Sequence, residues 1–209
     1  MSPFEKATES GWYPHFLQPV IDSINNQGHN LKILDLGTGT GKLPELLITQ
    51  DSTHYITGID IDSVFIKNAK VRVNHPHVNF DFQKINSKLD FPDSSFDIVT
   101  ICSVLFLIDD ATKQLLYSEA LRILKPEGKI IVLTPSGKKS RISAFSDLRR
   151  FKNPKYNWTY ILWKNLTMSG GQRWLENNWL KNMASENHLS YNSTLVFDEN
   201  AYIEIITKQ

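Results

Sequence analysis

Residues 35–43 read DLGTGTGKL, directly after the apolar run LKIL at 31–34. A short apolar run that ends in a carboxylate, then glycines at alternate positions, then Gly-Lys, is a nucleotide-site pattern with three possible owners. A triphosphate cradle needs a glycine five residues ahead of the Gly-Lys pair and a hydroxyl behind it for magnesium. Leu36 and Leu43 stand in those two places, which argues against an NTPase. A dinucleotide site needs glycines at places one, three and six, so that a pyrophosphate can rest on the helix N-terminus. Glycines occupy 37, 39 and 41, but the sixth place is Lys42, so NAD is disfavoured. Glycines at alternate positions after an apolar run also suit the third, a site for S-adenosylmethionine.

Working outward, LKILDLG (31–37) reads as a buried parallel strand. KLPELLIT (42–49) restores helical spacing, with Pro44 in the first turn, where a missing N–H costs nothing. YITGIDID (55–62) is a second strand, followed by a helix capped by Ser63 and running to about Val73, with Val64, Phe65, Ala69 and Val73 on its inner face. VNFDFQK (78–84), the start of FDIVTICSVLFLI (96–108) and GKIIVLTP (128–135) supply three more strands; a helix lies between the last two, from Asp109 to about Lys125. Five strands alternating with helices imply a parallel sheet with right-handed crossovers. Upstream, residues 3–27 carry apolar positions suited to one or two amphipathic helices. Downstream, 158–188 reads as helix broken at Gly170-Gly171, and LSYNSTLVFD and AYIEIITK flank DEN (198–200) as a terminal hairpin.

Composition narrows the class without deciding it. The chain has 209 residues, 41% hydrophobic and 22% charged, which suits one soluble α/β unit. A net charge of +1 gives no reason to expect nucleic acid or membrane. Locally, however, 136–155 holds seven basic residues (among them Lys138, Lys139, Arg141 and Lys155) against Asp147. A single cysteine, Cys102, excludes a disulfide framework and a cysteine-rich zinc site, and fits a cytoplasmic protein. The N-terminal residues lack an apolar segment of signal-peptide length, and no run approaches the roughly 20 apolar residues of a membrane span. His54, His75 and His77 precede strands and are expected in solvated loops at the edge away from the ligand; no metal site is expected.

Asp35-x-Gly37-x-Gly39-x-Gly41 resembles the first motif of the class I S-adenosylmethionine-dependent methyltransferases. The similarity continues through ITGIDID, through LDFPDSSFDIVTICSVLFLIDD (89–110) and through ILKPEGKIIVLTPSG (123–137), covering about residues 31–137 in order. It implies an α/β, Rossmann-like doubly wound, mostly parallel seven-stranded sheet with a C-terminal antiparallel hairpin. It further implies that Asp35 faces the amino-acid end of the cofactor, that Gly37, Thr38, Gly39 and Gly41 let the backbone pass close to it, and that Asp60, with Ile61 beside it, holds the ribose hydroxyls. Asp62 is the neighbouring alternative to Asp60, or a helix N-cap. Where the family carries an acid for the adenine amino group this chain has Ile85, so Ile85 backbone or the Asn86 side chain is the expected substitute. Cys102 is expected to line the same pocket rather than to act as a nucleophile.

The expected activity is transfer of a methyl group from S-adenosylmethionine to a small-molecule acceptor, by a monomer or homodimer. Aligning the reactants and excluding water suffices for such a displacement, so a dedicated base is optional. Tyr13 and His15 are the catalytic candidates, in an N-terminal helical lid over residues 1–30. Residues 31–209 form the catalytic domain, with a helical acceptor-side insertion at about 136–188 rich in Tyr156, Trp158, Tyr160, Trp163, Trp174 and Trp179, mostly expected as helix core. The competing readings are an RNA methyltransferase using 138–155 for phosphate contacts, a non-catalytic S-adenosylmethionine-binding protein, and a nicotinamide dehydrogenase.

Overall fold

The computed structural model describes residues 1–84, 87–138, 147–151 and 154–209. Strands β1 (Lys32–Leu36), β2 (Tyr55–Asp60), β3 (Val78–Phe82), β4 (Phe96–Cys102) and β5 (Leu124–Pro135) pair in parallel. β6 (Ser190–Val196) and β7 (Ala201–Thr207) form the hairpin, and β7 joins β5 antiparallel. The order β3-β2-β1-β4-β5-β7-β6 reverses direction at β1, and the ligand cleft of an open α/β sheet lies at such a switch point, beyond the carboxyl ends of the strands. The seven-stranded, mostly parallel sheet expected from the sequence is present.

Alternation along the strands builds two cores, because successive side chains point to opposite faces. Ile33, Ile56, Ile98, Ile131 and Ile203 meet helices α2 (Tyr13–Asn25), α3 (Lys42–Gln50) and α4 (Ser63–Arg72) on one face. Leu34, Val99, Ile130, Val132 and Ile206 meet α5 (Asp110–Ile123), α6 (Trp158–Asn177) and α7 (Trp179–Glu186) on the other. α2 belongs to the first layer. Its Phe16, Leu17, Val20, Ile21 and Ile24 are buried, Trp12 donates to Thr159 Oγ1 at 2.9 Å, and Trp163 packs on both Trp12 and Phe16. Lifting five such side chains into water would cost on the order of 10 kcal/mol, so α2 is a fixed wall. The short α1 (Pro3–Thr8), capped by Ser2 and Glu5, lies ahead of it.

Three local expectations need correction. Gly170-Gly171 does not break the helix: α6 runs through it and ends at Asn178, which takes the left-handed conformation with φ 49°. Both glycines answer a close approach instead. A Cβ on Gly171 would sit 2.0 Å from Pro135 O, and one on Gly170 would sit 2.8 Å from Phe106 Cδ2, so α6 lies directly on the end of β5. In α4 Ala69, and Val73 just beyond the helix, are buried as expected and Ile66 joins them, but Val64 is 59% exposed, and the cap is Asp62 rather than Ser63. His54 is no loop residue in water; it is fully buried, accepting from Leu31 N at 3.3 Å, and burial lowers its pKa.

Candidate active site

Beyond the carboxyl ends of β1, β2 and β4 lies a cavity of about 450 Å3. β1 delivers Asp35 to it. The Asp35 side chain is on the α2 side of the sheet, in register with Thr100 of β4, whose Oγ1 donates to Asp35 Oδ1 at 2.7 Å. Burial pushes the Asp35 carboxyl up to about 6, against the Thr100 bond, with the Asp60 charge adding to the rise. The loop after Asp35 then folds back on β2, since Gly37 N and Thr38 N both donate to Ile59 O, at 2.9 and 3.0 Å. Gly37 holds φ 75°, and a Cβ there would lie 2.4 Å from Val104 Cγ2; only glycine lets the chain turn under that side chain.

Asp60, the last residue of β2, is tied into the same loop. Its Oδ2 accepts from Gly39 N at 2.8 Å and its Oδ1 accepts from Asp62 N at 2.9 Å. Asp62 itself accepts from Val64 N and Phe65 N, the helix-cap alternative, while also lining the cavity. Asp35, Gly37, Thr38, Gly39, Asp60, Ile61 and Cys102 therefore converge on one space. Gly41 does not line it. A Cβ at Gly41 would lie 3.0 Å from both Ala69 Cβ and Phe80 Cζ, so this glycine seats the loop against α4 and β3. Ile85 and Asn86 lie outside the described residues.

The N-terminal segment contributes Phe4, Thr8, Tyr13 and Leu17 to the wall. Phe4 lies over Gly39, where an added Cβ would come within 2.9 Å of its ring, and packs on Phe65 at 5.1 Å. Arg72, at the end of α4, fastens α1 to this region. Its Nε donates to Thr40 O at 2.8 Å, and its guanidinium pairs with Glu45 at 3.1 Å and with Glu9. Burial pushes the Tyr13 phenol well above its ordinary value, helped by Cys102 and Asp35; burial does the same to the Cys102 thiol. His15 is placed elsewhere. Two residues along a helix is about 200° of rotation, so it faces away from Tyr13, exposed, with its ring 5.7 Å from Phe151. His15 thus drops out as a group that could touch reactants.

Ser103, Val104 and Leu107, in the loop after β4 where an open sheet takes its ligand, also line the cavity, as do Phe4, Lys42 and Gln83, which sequence reasoning missed. Ser103 had a positional signal, since it follows the end of β4. It holds φ 59°, and its Oγ is buried without a hydrogen-bond partner. The six aromatics of 156–179 line no part of this cavity. Trp174 donates to the buried Glu204, Trp163 packs in the α2 layer, and Trp158 is exposed. The loop after β5 is also absent from the wall as described, because Pro135, Ser136 and Gly137 face α6. Of the basic stretch, Arg150 pairs with Asp198 and Lys155 lies 5.2 Å over the Tyr156 ring; Lys139, Arg141 and Lys152 fall outside the described residues. Among the described residues no three His, Cys, Asp or Glu are grouped to hold a metal, and no helix is long and apolar enough to cross a membrane.

This arrangement suits a ligand with a cationic amino-acid end and a vicinal diol. A buried carboxylate awaits the ammonium, and Asp60 keeps lone pairs for hydroxyls beyond the two backbone bonds it accepts. The unpartnered Ser103 Oγ offers one further polar contact, and the remaining wall is mostly apolar. A volume of about 450 Å3 is that of an ordinary small-molecule site.

Comparison with known proteins agrees. Residues 34–132 match a family model described as a methyltransferase domain. The ubiquinone/menaquinone biosynthesis C-methyltransferase UbiE of Desulfotalea psychrophila is 34% identical over 109 residues, 51% of this chain and 43% of that protein. The demethylmenaquinone methyltransferase of Leptospira interrogans is 26% identical over 169 residues, 73% of this chain and 61% of the relative. The chain thus spans about half the length of the curated relatives it matches. Among solved structures, an S-adenosylmethionine-dependent methyltransferase from Aquifex aeolicus superposes with a TM-score of 0.68 over 100% of both chains at 13% identity. A putative S-adenosylmethionine-dependent methyltransferase from Methanococcus maripaludis gives 0.68 at 19% identity, covering 95% and 89% of the two chains. At such identities these two likenesses concern the fold.

Proposed function

We propose that this chain belongs to the class I S-adenosylmethionine-dependent methyltransferases and transfers the cofactor's methyl group to a small organic acceptor. The observation that carries the reading is the convergence of Asp35, the glycine loop and Asp60 on one cavity at the sheet's switch point. The relatives' names, which concern quinone methylation, favour a small-molecule acceptor over RNA. So does the commitment of Arg150 and Lys155 to contacts within the protein.

The cofactor supplies the activated methyl group and its leaving group. The chain's own part is to hold and to shield. Asp35, held by Thr100, receives the ammonium; Asp60 receives the sugar diol; Gly37 and Gly39 keep the loop backbone close; Thr38, Ile61 and Cys102 complete the contact surface. Tyr13 stands on the wall beside Asp35 and Cys102, where its neutral phenol orients the acceptor. α1, with Phe4 over Gly39, acts as the lid that excludes water. The described part of 136–188 braces the sheet through α6. We place the protein in the cytoplasm, on its single free cysteine.

Titration calorimetry with S-adenosylhomocysteine tests the reading. The wild type binds it and NAD(H) gives no thermal shift. Asp60→Ala and Gly39→Val each abolish binding while leaving a cooperative thermal transition. Near-normal affinity in both variants would refute the site.

A further inference from the structure

The lysine that makes the first loop look like a triphosphate cradle has a different partner in the fold. Lys42 opens α3, lines the cavity, and is only 16% exposed at its side chain. Among the described residues of the cavity wall it carries the only cation. Its ammonium lies 2.8 Å from Glu45, and Glu45 is held at the same time by Arg72 at 3.1 Å. Burial works against the ionised Glu45 carboxyl, yet the two cations keep its pKa below the ordinary value.

The ligand end that Asp35 faces is a zwitterion. Asp35 answers its ammonium; nothing else described on the wall answers its carboxylate with charge. We infer that Lys42 is the positioning residue for the α-carboxylate of the cofactor, an inference that rests on the methyltransferase reading of this cavity. Lys42 has a flexible four-carbon stem and three rotatable donors, so it can turn from Glu45 toward a new anion. Arg72 makes that exchange tolerable, because Glu45 keeps a cationic partner when Lys42 leaves it.

Calorimetry on the full chain separates this role from the general one, using two ligands. S-adenosylhomocysteine carries the amino-acid end; 5′-deoxy-5′-methylthioadenosine has the same nucleoside and thioether without it. In Lys42→Gln, affinity for S-adenosylhomocysteine falls about tenfold, the scale of one lost hydrogen bond to a charged group, while that for methylthioadenosine is unchanged. Lys42→Arg restores most of the loss. Equal falls for both ligands would make Lys42 a scaffold residue and overturn the inference, as would an unchanged affinity for S-adenosylhomocysteine. A wild type that binds methylthioadenosine and S-adenosylhomocysteine equally well would overturn it too. A wild type that binds neither ligand would refute the cofactor reading itself.

Discussion

The pH dependence of cofactor affinity follows from Asp35. Its carboxyl is buried and its pKa stands at about 6. Below that pH the group is neutral and an ammonium has no counter-charge to meet. Affinity for S-adenosylhomocysteine is therefore expected to be flat above pH 7 and to fall about tenfold per pH unit below 6, because one unit is worth about 1.4 kcal/mol. The ligand's own amino and carboxyl groups titrate outside pH 5–7, so the break belongs to the protein. The apoprotein has the opposite trend. Asp35 binds its proton more tightly folded, at about 6, than unfolded, near 3.8, so its contribution to stability is full below the unfolded pKa and is lost as pH rises toward 6. That loss is on the order of 3 kcal/mol. Thr100→Val removes the 2.7 Å bond that favours the ionised form, worth about 1.5–3 kcal/mol, and moves the affinity break up by about one to two pH units. Calorimetry from pH 5 to 8 reads both midpoints, with methylthioadenosine as the ligand that lacks the ammonium. A profile flat down to pH 5, or a break of the same size with methylthioadenosine, would refute the pairing of Asp35 with the ammonium.

Further outcomes are expected elsewhere. Gly171→Ala would drive a methyl group to 2.0 Å from Pro135 O, backbone against backbone, and should cost about 1–3 kcal/mol or more in a denaturant melt with ligand affinity nearly intact. No loss of stability would mean that α6 does not rest on β5 as described. Arg72→Ala frees α1 from α3 and the loop; exchange of the amides of residues 4–9 should speed up several-fold in hydrogen-exchange mass spectrometry, while amides of α2 keep their protection. Equal exchange in both proteins would show that Arg72 is not the fastener. Tyr13→Phe removes only a hydroxyl, and should lower turnover or raise the acceptor KM while leaving the S-adenosylhomocysteine Kd within about twofold; a large change in that Kd would place the phenol on the cofactor instead.

The strands and the loop at β1 were legible because their signals are local. A carboxylate at a strand end followed by glycines states its own geometry, and the alternating strands state which way the sheet must run. What was not legible depends on residues distant in sequence. Gly170-Gly171 reads as a helix break when propensity is weighed within its own segment, but Pro135 and Phe106 select glycine there. Phe4 is an exposed apolar residue, 41%, and nothing in its neighbours announces that it borders a cavity. His15 shared a segment with Tyr13, and only the helical rotation between them sends one inward and the other out. His54 precedes a strand as expected, yet it is sealed beneath Leu31.

Asp60 carries a consequence for how variants of this protein are understood. Both of its oxygens already fix backbone, one at Gly39 and the other at Asp62, before any sugar arrives. Receptor and scaffold are the same two atoms. A substitution at this position therefore removes the diol's partner and slackens the bend that grips the other end of the ligand, so the measured deficit exceeds the value of either bond alone. Asn keeps one acceptor oxygen but turns an NH2 donor toward the other backbone N–H, and Glu carries both oxygens one carbon further out, so neither should restore wild-type affinity.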